Sequence, residues 1–122
     1  MEMGKRICVL EDNRDIREII ELVLHDEKYE VFTFSSVTEF NSKAFELKAD
    51  AFLLDVMLPD GNGLSVCAQI RGNDVTSHIP IVMMSAGGDI GEMGNKCIAE
   101  DFIAKPFDIY NLYERVNQLI VA

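Results

Sequence analysis

Polar residues able to do ionic chemistry stand where short apolar runs of this chain stop. Glu11 and Asp12 follow Ile7-Cys8-Val9-Leu10, and Asp55 follows Ala51-Phe52-Leu53-Leu54. Ser85 follows Ile81-Val82-Met83-Met84, and Lys105 follows Phe102-Ile103-Ala104. Three carboxylates, a hydroxyl and an ammonium in one crevice would suit a divalent cation and a phosphoryl group. Mg²⁺ takes oxygen ligands in octahedral geometry, usually one or two carboxylates with waters and phosphate oxygens. Asp12 and Asp55 are therefore candidate ligands, with Glu11 binding directly or through water and Met57 offering its backbone carbonyl. Without a cation, carboxylates this close would repel and raise at least one pKa. A carboxylate can also attack phosphorus to give an acyl phosphate, and Asp55 is the candidate, alone at its strand end beside a Pro-Gly loop. The product gains negative charge and acceptor oxygens. Lys105 can pair with one of these as a point charge, and Ser85 can hydrogen-bond another.

The elements that must position these groups follow from hydrophobic period. Lys5 to Leu10 reads as a strand buried on both faces. Asn13 to about His25 reads as a helix, with Ile16, Ile19, Ile20, Val23 and Leu24 on one apolar stripe. Tyr29 to Phe34 alternates as an edge-side strand would. Ser36-x-x-Glu39 is a capping-box pattern opening a second helix to about Leu47. Asp50 to Asp55 is the third strand, and Leu58-Pro59-Asp60-Gly61-Asn62-Gly63 is dense enough in breakers to be a loop. Leu64 to Arg71 is a third helix, Pro80 to Met84 a fourth strand and Asp101 to Ala104 a fifth. Asp108 caps a last helix with the stripe Ile109, Leu112, Val116 and Leu119. Strands and helices alternate throughout, so right-handed crossovers favour a doubly wound five-stranded parallel sheet in the order 2-1-3-4-5. Its switch point lies between the first and third strands, where Glu11, Asp12 and Asp55 end their runs.

Composition bounds the rest. A chain of 122 residues is expected to form one domain, residues 1–122, with a full core. A formal charge of −10 argues against a basic nucleic-acid-binding face on this chain. No apolar stretch approaches the length of a membrane span, and the run behind Lys5-Arg6 is too short for a signal peptide. A cytoplasmic location and no membrane association are expected. The three cysteines, Cys8, Cys67 and Cys97, form no disulfide framework or metal spacing and read as reduced thiols.

Four segments in order carry a resemblance to a known family: Val9-Leu10-Glu11-Asp12-Asn13, then Leu54-Asp55-Val56-Met57-Leu58-Pro59-Asp60-Gly61-Asn62-Gly63, then Met84-Ser85-Ala86, then Asp101-Phe102-Ile103-Ala104-Lys105-Pro106-Phe107. Over its whole length the chain resembles the receiver domain of two-component response regulators, a flavodoxin-like architecture. The resemblance implies that Asp55 accepts a phosphoryl group from the phosphohistidine of a sensor histidine kinase or phosphotransfer protein. It implies that Glu11, Asp12, Asp55 and the Met57 carbonyl organise Mg²⁺, that Ser85 and Lys105 read the phosphoryl group, and that the Lys105-Pro106 bond is cis. It also suggests a switch, with Ser85 moving toward the phosphate and Phe102 turning inward, which biases the packing of the fourth helix, fifth strand and fifth helix toward an effector domain or target protein. Such a protein is a signalling switch and not an enzyme with a separate substrate.

Alternatives differ at particular residues. A pseudo-receiver acting only as a scaffold has no physical need for this cluster of charge. A flavin-binding domain of the same fold would want a hydroxyl- and glycine-rich loop where Glu11-Asp12-Asn13 stands. A haloacid-dehalogenase-like phosphatase would want a second aspartate where Met57 stands. The chain departs from the family it resembles between Ser85 and Phe102, an interval a couple of residues short that holds Gly87, Gly88, Gly91 and Gly94. Each glycine inside a helix costs roughly 1 kcal/mol against alanine, so a short or irregular fourth helix is expected. Hydrogen exchange should show weak amide protection across residues 87–97; protection matching the central strands would overturn that expectation.

Overall fold

The computed structural model describes residues 4–86 and 98–121. Five strands form one parallel sheet: β1 (Arg6–Leu10), β2 (Glu30–Phe34), β3 (Ala51–Asp55), β6 (Ile81–Ser85) and β7 (Asp101–Ala104). Their order is β2-β1-β3-β6-β7, the order read from the alternating pattern. Between β3 and helix α3 (Gly63–Arg71) the breaker-rich segment forms a small antiparallel hairpin, β4 (Met57–Leu58) with β5 (Gly61–Asn62), where an unpaired loop was expected. The expected second helix is shorter than its pattern, with α2 (Val37–Lys43) giving way to a 3₁₀ turn at Ala44–Glu46. The expectation of an irregular fourth helix falls on residues 87–97, which lie outside the described residues.

Alternation along the buried strands divides the core into two layers. Cys8, Leu10, Phe52, Leu54, Ile81 and Met83 face Phe40 of α2 and Val66, Cys67 and Ile70 of α3. Ile7, Val9, Leu53, Val82 and Met84 face Ile20 and Leu24 of helix α1 (Arg14–Asp26), and Leu112 and Val116 of the C-terminal helix Ile109–Val121. Helices on both faces explain why the central strands read as continuous apolar runs. The α1 stripe is narrower than its spacing suggested: Ile20 and Leu24 are buried, while Ile19 is half-exposed. Cys8 is a free buried thiol, as expected. Cys67 departs from the expectation, being disulfide-bonded; sequence spacing cannot reveal which sulfurs the fold brings together. Among the described residues, no helix is long and apolar enough to cross a membrane.

Register delivers the polar residues to one edge. Leu10 pairs with Leu54, so Glu11 and Asp55 are successive positions on neighbouring strands. Asp55 pairs with Met84, and Ser85 with Ala104, which puts Lys105 one residue beyond. The chain then returns tightly beneath Asp55: the Gly63 N–H donates to the Val56 carbonyl at 2.8 Å. A Cβ at Gly63 would lie 1.9 Å from the Asp55 carbonyl oxygen, so this position needs glycine for close approach. Gly63→Ala should destabilise the protein by roughly 3 kcal/mol, the upper end for volume forced into a packed site. Urea unfolding checks this, and a loss below about 0.5 kcal/mol would contradict the close approach.

Candidate functional site

Glu11 begins the site. It is fully buried, and its Oε2 accepts from the Asn13 N–H at 3.0 Å. Its Oε1 forms an ion pair with Lys105 Nζ at 2.6 Å. Asp55, 4 % exposed, accepts from the same ammonium at 3.2 Å. Asp12 projects from the β1–α1 turn into solvent, and carboxylate oxygens of Glu11, Asp12 and Asp55 all lie within 4.8 Å of one another. Asn13 caps α1 by accepting from the Ile16 N–H at 3.0 Å. Arg17, one turn into α1, donates to the carbonyls of Glu11 at 3.0 Å and Asp12 at 3.3 Å.

The other expected site residues differ in burial. Ser85 is buried at the end of β6, and its carbonyl accepts from the Lys105 N–H at 2.6 Å. Met57 extends its side chain to solvent, 72 % exposed, leaving only its backbone to serve the site. Phe102 is half-buried on β7 against the α2–α3 core layer. The Lys105–Pro106 peptide is cis.

Two contributors were not singled out from sequence. Arg17 pins the acid-bearing turn by its backbone, and only its position one turn into α1 hints at this. Asp60, at the hairpin tip, accepts from the Val37 N–H at 2.8 Å, the Thr38 N–H at 2.9 Å and the Thr38 hydroxyl at 2.6 Å. Those bonds, the Thr38 hydroxyl's above all, hold its carboxyl below the usual aspartate range. The residues of the tip are turn formers in any context, so the sequence carried no sign of the long-range contact.

Electrostatics in the crevice are unbalanced. Three carboxylates face one ammonium. Burial first, and then the Glu11 charge, push the Asp55 carboxyl up from 3.8 to about 7, against the opposing pull of Lys105. Burial works to lower Lys105, but its hydrogen bond and charge interactions with Glu11 and the charge of Asp55 outweigh that and leave it above its ordinary value. A cation among the three carboxylates would relieve this imbalance, and the oxygen-only donor set suits a hard divalent ion.

The response regulator receiver domain family matches residues 7–117, and the chain belongs to that family. Among curated relatives, the transcriptional regulatory protein GltR of Pseudomonas aeruginosa is 33% identical over 96% of this chain and 49% of its own length. The response regulator ArlR of Staphylococcus saprophyticus is 37% identical over 94% of this chain and 52% of its own. The chain thus spans about half the length of the curated relatives it matches. The receiver domain of a sensor histidine kinase from Pseudomonas aeruginosa PAO1 superposes with a TM-score of 0.85 at 27% identity, covering 98% of this chain and 99% of that one. That structure carries a magnesium ion coordinated in its active site cleft.

The raised Asp55 pKa is also a statement about stability. The folded state holds this proton more tightly than the unfolded chain does. The group's contribution is therefore fully present below about pH 4 and is lost as pH rises to about 7. Asp55→Asn removes the ionised form at nearly constant shape. In metal-free buffer at pH 8 it should stabilise the protein by on the order of 2–4 kcal/mol. The gain should vanish near pH 4, and a destabilised variant in denaturant titrations at pH 8 would refute the buried-charge account.

Proposed function

We propose that this chain is a phosphoacceptor switch of a two-component system, with Asp55 taking a phosphoryl group from the phosphohistidine of a sensor histidine kinase or phosphotransfer protein. The observation that carries this reading is the crowding of Asp55 by Glu11 and Asp12 within 4.8 Å, with Lys105 bonded to it at 3.2 Å. A scaffold would avoid so unfavourable a charge cluster at no cost to its surfaces.

Glu11, Asp12, Asp55 and the Met57 carbonyl would hold Mg²⁺, which supplies charge neutralisation for the incoming phosphoryl oxygens. The fully buried Glu11 carboxylate and the oxygen-only donor set fit that ion. An Asp55 carboxylate oxygen attacks phosphorus in line, the bond from phosphorus to the donor imidazole nitrogen breaks, and the imidazole leaves with the electron pair. Lys105 is already beside the attacking carboxylate and can follow the charge onto the phosphoryl oxygens. Ser85, at the adjoining strand end, can donate its hydroxyl to another. Phe102, half-buried and in the next strand over, is the group whose packing would register the change. The modified aspartate is the product itself, so the protein acts as a switch and not as an enzyme on a separate substrate. Its output would pass to an effector domain or target protein.

The test is chemical modification. Incubation with Mg²⁺ and acetyl phosphate should give a phosphate adduct by intact-protein mass spectrometry in wild type, and none in Asp55→Asn or in chelator. An equal adduct in both proteins would move the acceptor away from Asp55, and none in either would leave the scaffold reading; each outcome overturns the assignment of Asp55.

A further inference from the structure

The hairpin of residues 57–62 carries the one proposed metal ligand that is not a side chain, and its own pairing is slight. Only Met57–Asn62 and Leu58–Gly61 pair across it, and two-stranded ribbons of this size are marginal alone. Its base is fixed, because Gly63 bonds the Val56 carbonyl and Asn62 caps α3 by accepting from the Leu64 N–H at 2.7 Å. Its tip is held by a different element. Helix α2 opens with three N–H groups that have no intrahelical partner. Ser36 takes the N–H of Glu39 at 3.2 Å. Asp60 takes those of Val37 and Thr38, with the Thr38 hydroxyl as a third donor. Gly61 completes the seat, because a Cβ there would lie 3.0 Å from Val37 Cγ2.

We propose that Asp60 is a positioning residue for phosphoryl transfer: by clamping the hairpin tip to the start of α2, it restrains the backbone that presents the Met57 carbonyl, a ligand the metal would use. The inference rests on the Mg²⁺-dependent phosphoacceptor reading. Charged acceptors make the strongest hydrogen bonds, and a carboxylate with three donors has little freedom to turn. Met57 lies between the fixed base and the clamped tip, so neither end of its loop can drift. Removing the clamp frees the tip, and the carbonyl must be reordered each time the ion binds. Groups that orient ligands in this way typically alter metal affinity about tenfold or more.

The measurements are Mg²⁺ dissociation constants by calorimetry and phosphorylation rates by acetyl phosphate across a Mg²⁺ series, with thermal unfolding of each protein alongside. Asp60→Ala should weaken Mg²⁺ binding about tenfold, while its rate at saturating Mg²⁺ returns to near the wild-type value. Asp60→Asn keeps one acceptor oxygen and should fall between the two. Thr38→Val removes a single bond and should weaken binding about twofold to threefold, as a conservative check if the alanine variant unfolds. Unchanged Mg²⁺ affinity in these variants, with or without a lower melting temperature, reduces Asp60 to a cap of α2 and overturns the proposal. A wild-type protein that neither binds Mg²⁺ nor takes phosphate would remove the phosphoacceptor reading itself, which separates the two failures.

Discussion

Lys105 joins three strands through one ammonium. Leaving the end of β7, it crosses the carboxyl edge of β6 to reach Asp55 on β3 and Glu11 beyond β1. The sheet is covered by helices on both faces, so its interior accepts only apolar side chains, and the strand ends are the outlet for polar ones. A parallel arrangement sends all those ends to the same edge. The charge cluster is thus a consequence of topology, and the partly buried Lys105 ammonium makes it tolerable. Removing the ammonium would leave the buried Glu11 and Asp55 carboxylates without a counter-charge, a change that typically costs about 3–5 kcal/mol.

Compensation is deliberately incomplete in the physical sense that two negative charges remain uncancelled when all three acids ionise. A fold selected for stability alone would fill these positions with neutral groups. The surrounding elements bear the cost. Arg17 anchors the Glu11-Asp12 turn through its carbonyls, Gly63 lets the chain close beneath Asp55, and the central strands β1, β3 and β6 are buried apart from Arg6. The crevice is rigid at its base and electrostatically unsatisfied at its mouth. That combination suits a site whose charge must change on modification and whose geometry must not.

Much of this was legible in the sequence, for identifiable reasons. The strands β1, β3 and β6, buried apart from Arg6, are apolar runs with abrupt polar ends, and such runs give both the strand and the position of its last residue. Asp55, Glu11 and Ser85 were visible on that account, and Lys105 at the end of the shorter, partly buried run of β7. Ile19 was misread because periodicity shows which residues share a helix face but not how wide the cover over that face is. The hairpin at residues 57–62 was masked by the turn formers that build it. Asp60 and Arg17 act across 22 residues and on backbone atoms respectively, and a backbone acceptor leaves no trace in residue types. The disulfide at Cys67 escaped for the related reason that a covalent partner is chosen by space, not by spacing.

β7 shows how a change at Asp55 could be read without disturbing the sheet. Arg71 ties the approach to the strand by donating to the Ile98 carbonyl at 2.7 Å and pairing with Glu100, whose carboxylate also accepts from the Ile81 N–H at 2.7 Å. Arg115 of the C-terminal helix donates to Asp101 Oδ1 and to the Phe102 carbonyl, both at 3.0 Å. Parallel pairing with β6 continues through Ala104, and the Lys105 N–H bonds the Ser85 carbonyl. A strand held before, along and after Phe102 cannot slide past β6 without breaking charge-assisted bonds at both ends. Rotation of the half-buried phenyl ring about its own side-chain torsions breaks none of them. In the proposed switch, side-chain rotation would therefore be the low-energy response open at Phe102, and a phenyl ring has no hydroxyl to satisfy in either position.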